Sequence, residues 1–193
     1  MKAALYSQNG PALDVLVVGE LPIPLVQAGE VIFELHTSGV NPSDVKSRLS
    51  RPVNFNFIVP HSDGAGVIVE AGAGVPRSRI GERVRIWNGQ WQRAMGTAAE
   101  YIALPQDQAV KLHLGVGMEA RACLGIPALT ALHAPQCADE PQGAVHQSTQ
   151  SVLPGVGIPI SSRLKQYNGR GQGNAELLLA SVRQSISALS VHS

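Results

Sequence analysis

The chain is poor in charge and nearly devoid of cysteine. Charged residues make up 15% of its 193 positions, and 15 Lys and Arg against 14 Asp and Glu leave a net charge of +1. The arginines are scattered rather than clustered, which argues against nucleic acid or a membrane surface as the main partner. Two cysteines, Cys123 and Cys137, form neither a disulfide framework nor a zinc cluster, so a reducing cytoplasm is the expected setting. No apolar run has the length of a membrane span, and the opening Met1–Gly10 carries no signal-peptide hydrophobic region. Hydrophobic residues reach 44%, however, enough for a packed core and too many for a disordered chain.

What is present is a series of short apolar segments separated by turns. Strands are expected at Met1–Tyr6, Asp14–Val18, Glu30–Ser38, Gly64–Ala71, Ile80–Trp87, Ala98–Leu104 and Ala109–Leu112. Within Glu30–Ser38, Val31, Phe33 and Leu35 share one face, and Ile32, Glu34 and His36 the other. Asn9-Gly10-Pro11 is a turn, Leu21-Pro22-Ile23-Pro24 cannot be an interior strand, and Asn88-Gly89 is a hairpin-type turn. This spacing predicts a mainly β domain, a small barrel or sandwich. The period changes at Met118–His133, which suits a helix interrupted at Pro127. Beyond Ala134 the composition shifts to Gln, Ser, Gly and Pro. The division expected is therefore a domain at 1–134 and a tail at 135–193, loop or disorder except for an amphipathic helix over 174–192.

Chemistry-bearing residues concentrate on two turns beside strands, Asn41-Pro42-Ser43-Asp44 and His61-Ser62-Asp63. Ser43 is the expected cap of a helical turn over 43–48. Asx-type bonds within the first turn offer a purely structural account of Asn41 and Asp44, and Asp63 reads equally as a loop anchor. Trp87 and Trp91 suit either the wall of an aromatic substrate site or the rim of the core. Cys123 reads as buried structure, with nothing basic nearby to activate it.

Gly39-Val40-Asn41-Pro42-Ser43-Asp44, Pro60-His61-Ser62-Asp63-Gly64-Ala65-Gly66-Val67, Ile80-Gly81-Glu82-Arg83-Val84, Trp87-Asn88-Gly89-Gln90-Trp91, Gly96-Thr97-Ala98-Ala99-Glu100-Tyr101 and Cys123–Ala131 occur in this order. Together they resemble the amino-terminal half of a medium-chain dehydrogenase/reductase of the quinone oxidoreductase, zeta-crystallin-like branch. The resemblance implies a GroES-like, partly open β-barrel, with a following Rossmann domain for NADPH and hydride transfer to a quinone or an enal. It implies Asn41, Ser43 and Asp44 as the catalytic cleft, Asn41 and Thr130 beside the nicotinamide, and His61, Asp63, Trp87 and Trp91 along the substrate cleft. Zinc-dependent relatives have cysteine where Asn41 stands and histidine where Ser62 stands, and the resemblance therefore implies a zinc-free site.

The resemblance lapses after Ala134. Val152-Leu153-Pro154-Gly155-Val156-Gly157-Ile158-Pro159 is no dinucleotide fingerprint, because Pro154 breaks the strand-to-loop passage and Pro159 falls too early in the helix that should follow. The expectation is a truncated or frame-shifted product, weak or inactive as a reductase. Its uncovered interdomain face is expected to drive self-association, and the alternatives are a catalytically dead binding module or a non-functional remnant.

Overall fold

The computed structural model describes residues 1–111, 117–127, 129 and 156–159. Strands β1 (Lys2–Leu5) and β2 (Val17–Glu20) form an antiparallel pair. A six-stranded sheet holds β3 (Glu30–Val40), β4 (Asp63–Ala71), β5 (Arg83–Ile86), β6 (Tyr101–Pro105), β7 (Ala109–Lys111) and β8 (Val156–Pro159). Its order is β6-β3-β4-β5-β7, with β8 also on β3. The outermost strands β6 and β7 are joined by the single turn Gln106–Gln108, so the sheet curls until its ends meet there without pairing. Among the described residues the helices are α1 (Ala12–Val15), α2 (Pro42–Ser50) and α3 (Met118–Ala122), and none is long and apolar enough to cross a membrane.

β3 is the spine of this mainly β domain. The alternation expected for it places Val31, Phe33 and Leu35 in the core, beside Ile68, Val84, Ile86, Ile102 and Leu104 from the neighbouring strands. Two irregularities, between Ile32 and Phe33 and between Leu35 and Thr37, bend the strand against β4. Beyond them Thr37 and Ser38 are both buried, which brings polar groups inside just before Asn41. Gly96 packs where a Cβ would run into the carbonyl oxygens of Val59, Pro60 and His61. That contact holds the 94–98 loop, whose backbone bonds to Val59, Pro60 and His61, against the start of β4.

Several local expectations are corrected. Asp14–Val18 is not one strand: Pro11, with φ of −57°, leads into α1, and the strand begins only at Val17. The strand expected at Ile80 starts at Arg83, because Gly81 adopts φ of +88° in a preceding turn. Asn88 takes the left-handed conformation, φ +58°, but no hairpin follows, since β5 pairs with β4 and β7 instead of β6. The helical break falls at Cys123–Gly125 rather than at Pro127, which sits in the first turn of the next helical stretch where its missing N–H costs nothing. Cys123 is half-buried, its Sγ 3.4 Å from the Glu119 carbonyl oxygen.

The expected loop after Ala134 is also interrupted. Val156–Pro159 pairs antiparallel with Thr37–Val40, on the edge of β3 that β6 leaves free beyond Glu34. The helix expected over 174–192 lies outside the described residues.

Candidate functional site

Asn41 closes β3 and caps α2. Its φ and ψ of −115° and 155° are extended, and its backbone carbonyl accepts from the Asp44 N–H at 3.0 Å. Asp44 Oδ2 accepts from the Asn41 N–H at 2.7 Å, and Pro42 occupies the first helical position. The cap is thus Asn41 and not Ser43, whose residue is exposed on the first turn. The aspartate three residues on bridges back to the cap's own amide, which leaves the Asn41 side chain free to turn elsewhere.

It turns to Asp63. Asn41 Nδ2 donates to Asp63 Oδ2 at 2.9 Å, and the backbone N–H of Ile126 donates to the same oxygen at 2.8 Å. Asp63 is fully buried and Asn41 is 2% exposed. Because a carboxylate only accepts, it takes the NH2 end of the amide and so orients Asn41. Oδ1 of Asn41 and Oδ1 of Asp63 are then buried without a hydrogen-bond partner. Gly125 borders the second of these, since a Cβ there would collide with Asp63 Oδ1.

A second chain of bonds supports the first. Thr97 Oγ1 donates to the Asp63 carbonyl at 2.6 Å and lies 2.8 Å from Ser38 Oγ, which is 2.9 Å from His61 Nδ1. His61 has φ of +74°, a strained conformation for a residue with a Cβ. It is held there by Thr97, whose N–H donates to the His61 carbonyl at 2.9 Å. Thr37 Oγ1 donates to the Met118 carbonyl at 2.9 Å, which ties the end of β3 to α3.

Burial dominates the electrostatics. It pushes Asp63 up to about 6, against the opposing hydrogen bonds from Asn41 and Ile126 and the charge of Arg85. It pushes Asp44 up to about 7, opposed by the Asn41 N–H and reinforced by Asp63. Burial and the Arg48 charge push His61 down to about 4, so its imidazole is neutral at pH 7. Adjacent carboxyls raised to different degrees are an arrangement that can hold a proton near neutrality.

Asn41, Asp44 and Asp63 therefore meet at the junction of β3, α2 and β4, and His61 is linked to them through Ser38 and Thr97. Trp87 and Trp91 do not join them. Trp87 Nε1 lies 3.4 Å from the Asp107 carbonyl oxygen, toward the turn before β7. Trp91, 53% exposed, lines a separate cavity of about 200 Å3 that none of those four residues touches. Thr130 lies outside the described residues. The sequence reading missed Ser38, Thr97 and the Ile126 amide. Thr97 had a visible signal, a lone hydroxyl between Gly96 and Ala98-Ala99, whereas a backbone N–H has none. Among the described residues no three His, Cys, Asp or Glu side chains converge as a metal site requires.

Residues 27–114 match the alcohol dehydrogenase GroES-like domain. Over 138 residues the chain is 30% identical to a chloroplast envelope quinone oxidoreductase homolog of Arabidopsis thaliana, covering 69% of this chain and 41% of that protein. The quinone oxidoreductase of Coxiella burnetii superposes with a TM-score of 0.67 at 26% identity, covering 74% of this chain and 46% of that one. A mycobacterial protein solved in complex with NADPH superposes with a TM-score of 0.61 at 25% identity, over 73% of this chain and 42% of that one. The chain is thus a partial match to the quinone oxidoreductases of the medium-chain dehydrogenase/reductase family. It spans about two fifths of the length of the curated relatives it matches.

Proposed function

We propose that this chain is the substrate-side half of a zinc-independent, NADPH-dependent reductase of quinones or other conjugated carbonyls. The observation that carries it is Asn41: a buried amide, fixed by a buried carboxylate, with Oδ1 left over. A leftover acceptor in a site shielded from water suits a donor on a bound molecule, such as a carboxamide or hydroxyl. The nicotinamide half of NADPH carries such a carboxamide, and when bound the cofactor supplies the hydride. This chain's part is to orient through Asn41 and to hold Asn41 through Asp63. Asp44, with its carboxyl raised to about 7, is the group able to keep a proton beside Asn41 near neutrality. Ser43 is exposed on the same turn and would act at the rim. The engagement of Asn41 with Asp63 and the burial of Ser62 support a site working without zinc.

The phosphates fit less well. Among the described residues no glycine-rich turn joins a parallel strand to a helix, and Val156–Pro159 is committed to an antiparallel pairing with β3. The proposal therefore includes weak cofactor binding by this chain alone, slow turnover, and self-association through exposed side chains such as Val45 and Leu49 of α2. A cytoplasmic setting accompanies it. The same pairing favours a second reading, a binding module without catalysis, because β8 closes the strand edge that leads into Asn41.

Titration of NADPH fluorescence, with turnover of a quinone by the purified chain, separates the two. Binding at roughly millimolar or tighter together with slow NADPH oxidation supports the reductase, and Asn41→Ala should slow that oxidation roughly 10- to 100-fold. Oxidation unchanged by the substitution, or no binding at all, removes the reductase reading.

A further inference from the structure

The cavity beside Trp91 has a chemistry of its own. Its walls include the aromatic rings of Tyr6, Phe55 and Trp91 and two arginines, Arg51 and Arg93, and among the described residues no carboxylate lines it. Tyr6 is buried, whereas Phe55 and Trp91 are 43% and 53% exposed, so rings stand both in the wall and at the mouth. Arg93 is anchored from behind, its Nη1 donating to Gln108 Oε1 at 3.0 Å. Glu30, the carboxylate whose charge acts on it, lies outside the cavity.

One feature works against an anion here and is offset locally. Arg51 stands at the C-terminal end of α2, whose dipole disfavours negative charge. The carbonyls there are occupied: Ser47 accepts from the Arg51 N–H at 2.9 Å, Arg48 from the Gly10 N–H at 3.2 Å, and Asn9 Nδ2 lies 3.3, 2.9 and 2.8 Å from the carbonyl oxygens of Ser47, Arg48 and Arg51. Gln92, between Trp91 and Arg93, holds φ of +56°, a strained conformation on the stretch that presents the ring and the guanidinium together. A volume of about 200 Å3 is small for a ligand site and suits a single ring.

We propose that this cavity binds a small planar aromatic carboxylate, the ring against Phe55 and Trp91 and the carboxylate on Arg51 and Arg93. A guanidinium matches a carboxylate in shape as well as charge, and it tolerates an aromatic neighbour better than an ammonium does. Asn41, Asp44, His61 and Asp63 are not among its lining residues.

The test is calorimetric titration of the full chain, at neutral pH and low salt, with benzoate, benzyl alcohol and benzylamine. Benzoate should bind saturably and at least about tenfold more tightly than benzyl alcohol, with benzylamine weaker still. Arg51→Gln, at an exposed position, should weaken benzoate about tenfold and leave benzyl alcohol unchanged. The comparison of ligands needs no variant, so a folding defect cannot obscure it. Equal binding of benzoate and benzyl alcohol, no saturation with benzoate, or benzoate binding unchanged in the variant would overturn the proposal. None of these outcomes bears on NADPH oxidation.

Discussion

At the scale of single residues, Asp63 organises the site, because its Oδ2 satisfies two donors from separate parts of the chain. Asp63→Ala strands the Asn41 amide and the Ile126 N–H, and denaturant unfolding should show a loss of about 2 kcal/mol. The titrating groups give a second expectation, whose sign follows from proton counts. Asp44 sits at about 7 when folded against an ordinary 3.8, so the folded state binds more protons between those values and its contribution falls as pH rises through that window. Asp63 acts in the same sense up to about 6. His61 opposes both: at about 4 when folded against 6.5, it makes stability rise with pH between those values. Asp44→Asn should therefore gain on the parent chain as pH rises from about 4 to about 7, with the difference level above that. Denaturation midpoints of the two proteins across this range check it, and a pH-independent difference would refute the assignment.

Among the elements, β3 carries both the core and the site. Its first half alternates and packs; its second half, past two irregularities, buries hydroxyls and delivers Asn41. Phe33→Ala in the first half should cost about 3–5 kcal/mol, read as a shift in the unfolding midpoint with the cooperativity retained. The second half depends on the 94–98 loop beside it. Gly96→Ala would drive a methyl into the carbonyls of Val59, Pro60 and His61, a penalty of roughly 1–3 kcal/mol. It should also disturb the His61–Ser38–Thr97 bonds, visible as a changed His61 titration by NMR. The start of α2 was legible in Asn41-Pro42-Ser43-Asp44 as a capping signal. Its register was not, because Asn, Ser and Asp all cap helices and only the fold shows which of them sits in extended backbone.

For the whole molecule, the edge of β3 is shared end to end by strands from distant parts of the chain, β6 opposite Glu30–Glu34 and β8 opposite Thr37–Val40. Gly157→Pro removes an amide and restricts φ in the middle of β8. Hydrogen exchange should then accelerate at Thr37–Val40 while the amides of Glu30–Glu34 keep their protection. Unaltered exchange along β3 would mean that this edge is not held by β8. The pairing also agrees with the loss of resemblance after Ala134: Val156–Pro159, which carries no dinucleotide fingerprint, lies along the edge of β3.

The sequence alone determined the class of fold and marked the two polar turns as the candidate site, since alternation over short segments, turn residues at their ends and a few ordered motifs are local properties. Only the tertiary structure decided that Asn41 faces Asp63, that Thr97 and Ser38 link His61 to the same carboxylate's backbone, and that Trp91 belongs to a different cavity. These depend on the bends in β3 and on where the 94–98 loop and the turn before Ile126 come to rest. Contacts between positions 22 to 63 residues apart are set by packing, and no local pattern encodes them.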